Sequence, residues 1–239
     1  MKIKILYEDL NILAIDKPSG ILVHPDLRSK EKTILDLFLK KYPKLEIVHR
    51  LDKDTSGVML LAKNKKAHEF LKKQFQDRVV KKIYLAIVSG SVKNDRGMIN
   101  KPIGRSPRDF RRYLAGRGAR GEMREAITEY KVLKHLQIKT DNKLINSDIS
   151  VNQKKISGIS SFTLLEVKPK TGRTHQIRVH MKYLNHPIVC DSLYNPDNPC
   201  PKGISRMALH AKSIEFKNLK DKTIKVESPI PKEFTKISK

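Results

Sequence analysis

Apolar and polar residues alternate over short stretches at 4–7, 12–15, 58–63, 82–88, 126–133, 162–168 and 213–216, and this period of two predicts strands. The lysine-rich tail 217–239 continues the pattern through Ile224 and Val226, so further strands with solvated lysines on one side are expected there. Helical spacing marks three segments: 33–41, 66–78 with Ala67, Phe70, Leu71 and Phe75 on one face, and 174–184. Strands follow one another through short turns such as Lys17-Pro18-Ser19-Gly20 instead of alternating strictly with helices. The expected fold is therefore α+β, a mixed, largely antiparallel sheet flanked by helices. Segment 139–157 is rich in Asn, Asp, Lys and Ser between strand-like flanks, and reads as a polar hairpin insertion within a single domain spanning 1–239.

Charge changes the picture. The 239 residues carry 50 Lys+Arg against 25 Asp+Glu, a formal net charge of +25, with 38% hydrophobic residues to build a core. Such an excess opposes compaction unless a polyanion is the usual partner, and nucleic acid is the obvious candidate. Seven arginines (Arg105, Arg108, Arg111, Arg112, Arg117, Arg120 and Arg124) lie between 105 and 124 against two acids, Asp109 and Glu122. Their planar forks suit phosphate, and the interleaved glycines predict a loop that orders on RNA; a solvated basic loop is the plainer alternative. No apolar run approaches the roughly 20 residues of a membrane span, and the N-terminus lacks a signal-peptide pattern, so a cytoplasmic protein is expected. Cys190 and Cys200 make no framework and are expected to be reduced.

Two stretches carry candidate chemistry. The first is Val48-His49-Arg50-Leu51-Asp52-Lys53-Asp54-Thr55-Ser56-Gly57, a charged loop set immediately before the apolar strand 58–63. A sheet fixes such a loop in space, which is where reactive groups tend to sit, although Asp52 and Asp54 could instead pair locally with Arg50 and Lys53. The second runs from Val167 to Met181 as strand, turn and helix, with Thr174 as the expected N-cap and Ile177, Met181 and Leu184 on the apolar side. There His175, Arg178 and Lys182 share a polar stripe able to meet a carboxylate or a phosphate, whereas His180 falls on the apolar side as a hydrogen-bonded core histidine. His175, His180 and Cys190 lack metal-site spacing, and neither GxxxxGK[ST] nor a strand-linked GxGxxG occurs.

The sequence His49-Arg50-Leu51-Asp52, followed by Lys53-Asp54-Thr55-Ser56-Gly57, resembles the active-site motif of the RluA-type family of RNA pseudouridine synthases. Agreement in order and spacing extends through Asp16-Lys17-Pro18-Ser19-Gly20, Lys82-Ile83-Tyr84-Leu85-Ala86, Pro102-Ile103-Gly104, Glu125 to Tyr130, and Thr171 to Met181. The resemblance implies a pseudouridine synthase fold with a central cleft, and isomerisation of a uridine within ribosomal or transfer RNA without cofactor or metal. It makes Asp52 the essential carboxylate, Arg178 the partner that holds it, and Tyr84 the ring that stacks on the target base. Arg50 would fill the gap left by a flipped nucleotide, while His49, Lys168, Arg173, His175 and the 105–124 arginines would contact RNA. A stand-alone, monomeric catalytic domain without the family's frequent S4 domain is expected. One departure stands out: Cys190-Asp191 occupies the place where many relatives carry Gly-Asp. A non-catalytic RNA-binding or ribosome-assembly protein on the same fold is the competing expectation.

Overall fold

The computed structural model describes residues 3–25, 31–139 and 159–236. In chain order the elements are β1 (Lys4–Glu8), β2 (Ile12–Lys17), α1 (Ile34–Phe38), β3 (Glu46–Ile47), β4 (Ser56–Ala62), α2 (Lys65–Gln76), β5 (Lys81–Ser89), β6 (Arg96–Asn100), β7 (Ile103–Arg105), β8 (Tyr113–Ala115), β9 (Arg120–Arg124), β10 (Ile127–Lys139), β11 (Ile159–Pro169), α3 (Gln176–Tyr183), β12 (Leu209–Lys217), β13 (Thr223–Glu227) and α4 (Lys232–Lys236). Ten strands form one sheet with the path β1-β2-β4-β12-β5-β11-β10-β6, to which β3 adds beside β4 and β13 beside β12. Every pairing in it is antiparallel except β4 with β12, where His210 lies opposite Ser56 and Ala211 opposite Gly57. The α+β expectation holds.

The parallel seam matters because it sits at the joint between two apolar cores. One core is built from β2, β4, α1 and α2, the other from β5, β11, α3 and the chain leading into β12. Strand β4 is buried along its whole length, as its unbroken apolar run requires. At Gly57, with φ 114°, a β-carbon would overlap the Ala211 backbone, so glycine alone lets the two strands approach there.

Local chemistry explains where the elements begin and where the expectations slip. Thr33 caps α1 through a capping box with Asp36, and Asn64 caps α2 by accepting from the Ala67 N–H at 2.9 Å. On α2, Ala67 and Leu71 are buried as the periodicity predicts, but Gln74 is buried as well. Its amide grips the end of β12, donating to Lys217 O and accepting from Lys217 N, each at 2.9 Å. The tail is not all strand: after Pro231 the chain turns into α4, which buries Phe234. Strands β10 and β11 pair up to Lys139 opposite Ile159, so the polar insertion joins the two arms of a hairpin; residues 140–157 of it lie outside the described residues.

Two further expectations are corrected. The arginine-rich segment is not a loop but a second, three-stranded sheet in the order β8-β7-β9. It packs Ile103 and Ala126 against Val179 of α3 and Tyr194, which gives the segment a core contact that its polar sequence does not advertise. Cys190 and Cys200 are joined as a disulfide, their Cα atoms 5.1 Å apart. The argument for reduced thiols rested on compartment, whereas the turn at Cys190, with φ 57°, brings the two residues within bridging range. No described helix is long and apolar enough to cross a membrane.

Candidate active site

The charged loop before β4 is pinned from beneath. Lys17 is fully buried at the end of β2, and its ammonium donates to Pro18 O at 3.0 Å and to Lys53 O and Thr55 O at 2.8 Å each. Gly20 N–H donates to Lys53 O at 2.9 Å and Ser19 Oγ to Asp54 O at 2.7 Å. Three separate donors thus fix the backbone immediately after Asp52, at Lys53, Asp54 and Thr55. Burial pulls the Lys17 pKa down to about 8 against the opposing pull of the Asp52 and Asp54 charges. Asp52 turns inward, away from its sequence neighbours, while Asp54 is exposed and Lys53 bridges to Glu31.

Asp52 meets Arg178 across the cleft, with Arg178 Nη1 donating to Asp52 Oδ2 at 3.0 Å. The rest of the guanidinium belongs to Asp191, which accepts from Nε at 2.7 Å and from Nη2 at 2.8 Å. Asp191 Oδ1 also accepts from the backbone N–H groups of Leu193 at 3.0 Å and Tyr194 at 3.1 Å, so this fully buried carboxylate is satisfied on all sides. Burial opposes the Arg178 charge, but the two carboxylates outweigh it and raise its pKa. The ring of Tyr194 lies 5.0 Å from the guanidinium. Arg178 is therefore locked in place before any ligand arrives.

His175 starts α3 in a left-handed conformation, φ 54°, and takes the N-cap place expected of Thr174. The Tyr194 hydroxyl accepts from Tyr113 N–H at 2.9 Å and contacts His175 Nδ1 at 3.0 Å. His175 Nε2 faces Asp52 Oδ2 at 4.0 Å. Burial lowers the His175 pKa and keeps the ring neutral at neutral pH. The turn that leads into α3 is tied by Gln176, whose Oε1 accepts from Thr171 Oγ1 at 2.7 Å and from Arg173 N–H at 2.9 Å.

Tyr84, on β5, completes the group. Burial, and then the Asp52 charge, push its hydroxyl well above the usual range. Asp52, Tyr84 and Arg178 line one cavity of about 510 Å³, roughly the size that accepts a small ligand. Seven cations stand around it (Arg50, Lys72, Arg78, Lys82, Lys170, Arg173 and Arg178) against a single carboxylate, Asp52. Four of the seven have carboxylate partners of their own (Lys72 with Glu69, Arg78 with Glu125, Lys170 with Glu129, Arg178 with Asp191), and the remaining positive charge favours an anionic ligand.

Residues 11–183 match the model of a family described as RNA pseudouridylate synthase. The chain belongs to the RNA pseudouridylate synthase family. It is 36% identical over 243 residues to a ribosomal large subunit pseudouridine synthase D of Borreliella burgdorferi, covering 97% of this chain and 66% of that protein. It is 40% identical over 201 residues to an uncharacterized RNA pseudouridine synthase of Aquifex aeolicus, covering 80% and 56%. The chain thus spans between half and two thirds of the length of these relatives. Among solved structures, human RNA Pseudouridylate Synthase Domain Containing 1 superposes with a TM-score of 0.74 at 28% identity, covering 96% of this chain and 84% of that one.

The sequence-predicted residues of this family member take different places in the structure. Asp52, Tyr84, Arg178, His49, Arg50, Arg173 and His175 all line the cavity. His49 is engaged internally, its Nε2 accepting from Leu60 N–H at 2.9 Å and its ring stacked 4.7 Å from Phe75; burial drops its pKa to about 3. Lys168 stands outside the cavity, exposed on β11 and bridged to Glu166 at 3.1 Å. Lys182 is exposed and does not join the His175–Arg178 stripe at the site. Of the arginines on the small sheet, Arg111 and Arg112 pair with Asp109 and Arg124 with Glu122, while Arg105 lies over the Tyr113 ring. Arg108, Arg117 and Arg120 are exposed. His180 is the core histidine expected, bonded to Thr128 Oγ1 at 2.8 Å and to Lys101 O at 3.0 Å.

Sequence reasoning missed Asp191, Lys17 and Lys82 as members of the site. Asp191 and Lys17 sit in stretches noticed for other reasons, but their importance lies in contacts 13 and 36 or more residues away, which no local pattern displays.

Proposed function

We propose that this protein isomerises uridine to pseudouridine within ribosomal RNA, with Asp52 as the essential carboxylate. Family membership supports the reaction, and the name of relatives such as the Borreliella burgdorferi protein, a ribosomal large subunit pseudouridine synthase, supports the RNA class. One observation carries the reading: a lone carboxylate, held by a pre-paired arginine, faces an otherwise cationic cavity beside a buried tyrosine ring. Breaking the sugar–base bond builds positive charge on the ribose, which an oriented anion at this place stabilises or attacks. Tyr84 supplies a flat surface for the base. A stacked uridine must leave its helix to enter, and Arg50, exposed at the cavity mouth, fills the space it vacates. His175, Arg173 and the arginines of the β7–β9 sheet position the RNA through its phosphates, with Lys168 further out. In this reading the protein acts as a cytoplasmic monomer.

The test is to map pseudouridines in total RNA from cells with the gene, without it, and complemented with Asp52→Asn. One or more sites present in the first strain should vanish in the other two, while the purified variant binds RNA within several-fold of the parent. Identical maps in all three strains defeat the proposal and leave an RNA-binding protein on a synthase scaffold.

A further inference from the structure

Two lysines stand at the cavity, Lys17 fully buried beneath it and Lys82 half-buried in its wall, and they differ in what their protons meet. Lys17 gives its three to three backbone carbonyls. Lys82, on β5 two residues before Tyr84 and therefore on the same face of the strand, reaches one acceptor, Thr171 O, at a long 3.2 Å. No carboxylate pairs with it among the described residues, since Asp52, the cavity's one acid, is held by Arg178. Lys72, Arg78 and Arg173 line the same cavity, Arg78 bridged to Glu125 at 2.7 Å and Lys72 to Glu69 at 3.9 Å. Burial alone pulls the Lys82 pKa down to about 8, with no acid drawing it back up. Gly172 leaves the approach open: even a β-carbon there would stand 3.9 Å from the Lys82 nitrogen.

We propose that the Lys82 ammonium is the seat for a backbone phosphate of the nucleotide that enters the cavity. This rests on the reading of the cavity as a uridine-modifying site and assigns it a phosphate subsite. A desolvated ammonium with two protons unused destabilises the empty fold, and an anion offsets that cost. A neutral uracil carbonyl would supply a hydrogen bond but no countercharge. Phosphate supplies both.

The experiment uses the full chain and, as substrate, total RNA from cells lacking the gene, comparing the parent with Lys82→Met and Lys82→Arg. For Lys82→Met the expected result is a KM raised about tenfold or more with kcat within about threefold, as for loss of one charge-assisted hydrogen bond made equally in ground and transition states. The slope of log affinity against log salt should fall by about 0.7 to 0.9, the value of one phosphate contact. Lys82→Arg should restore both quantities, and the unfolding midpoint of Lys82→Met should equal or exceed that of the parent. An unchanged KM and salt slope, a kcat loss at constant KM, or a lowered unfolding midpoint would each overturn the assignment. RNA affinity is read on every protein, so a parent that makes no pseudouridine refutes the reaction while the salt slope still decides Lys82.

Discussion

Asp191→Ala is the most informative perturbation of this structure. The change removes the acceptor of two Arg178 hydrogen bonds at 2.7 and 2.8 Å, and of two backbone N–H bonds at 3.0 and 3.1 Å. The Asp191 side chain is 0% exposed and that of Arg178 9%, so water does not replace what is lost. Breaking a buried pair from one side costs about 3–5 kcal/mol, because a buried charge is left without its partner. For a chain of this size each kcal/mol moves the midpoint by about 2–4 °C, so a fall of about 6 to 20 °C is expected by calorimetry or thermal circular dichroism. Asp52→Ala removes one bond from a carboxylate that is 19% exposed and should shift the midpoint far less. Asp191→Asn keeps the shape but not the charge; the Arg178 fork is then free to turn toward Asp52, and kcat on RNA should drop on the order of 10²-fold through misplacement of the carboxylate. If Asp191→Ala melts with the parent, or Asp191→Asn turns over at the parental rate, Asp191 does not anchor the site.

Other outcomes follow from the same coordinates. Lys82 has a folded pKa of about 8 against 10.5 when unfolded, so between those values the unfolded chain binds the extra proton and stability rises with pH. Lys82 contributes about 3 kcal/mol of the rise in denaturant titrations, beside Lys17, whose folded pKa is also about 8; Lys82→Met should reduce the rise by that share, and equal pH profiles for the two proteins would contradict the burial of the charge. Lys17→Met takes a donor from three carbonyls under the active loop, of which Lys53 O keeps the Gly20 N–H, and should both lower the unfolding midpoint and reduce kcat, whereas retained activity would show that the loop holds itself. Arg117→Ala and Arg120→Ala should each reduce the salt slope of RNA binding by about 0.7 to 0.9, with a smaller change for Arg111→Ala, whose fork is already occupied by Asp109 at 2.9 and 3.1 Å. Equal slopes in filter-binding titrations would remove the small sheet from the RNA interface.

Much of this was legible from residue pattern because the relevant physics is local. The run Val58 to Ala62 can only be a strand buried on both faces, and Thr33 followed by Asp36, or Asn64 ahead of Lys65, marks a helix start. The small sheet was not legible, since β9 is exposed at all of its five residues and shows no alternation to read. Gln74 was invisible as a buried residue because its reason for burial is a strand end 143 residues away. The charged stretch before β4 was recognisable as a site, and so was the arginine facing it. The supports beneath them were not: a lysine that caps three carbonyls and an aspartate that occupies a guanidinium have no signature until the chain has folded.

Those hidden supports explain why the carboxylate remains available. A guanidinium that met Asp52 with two parallel bonds would hold both oxygens and cancel its charge. Here the fork is given to Asp191, and Asp52 receives a single bond, to Oδ2. Oδ1 accepts no hydrogen bond among the described residues, and Asp191 has already balanced the arginine's charge. Asp52 is thus oriented without being neutralised. For the reaction proposed above, in a cavity ringed by cations, that would separate two requirements that normally conflict: the surroundings would attract the polyanion, while the one group of opposite sign would keep a lone oxygen for the ribose on which positive charge develops.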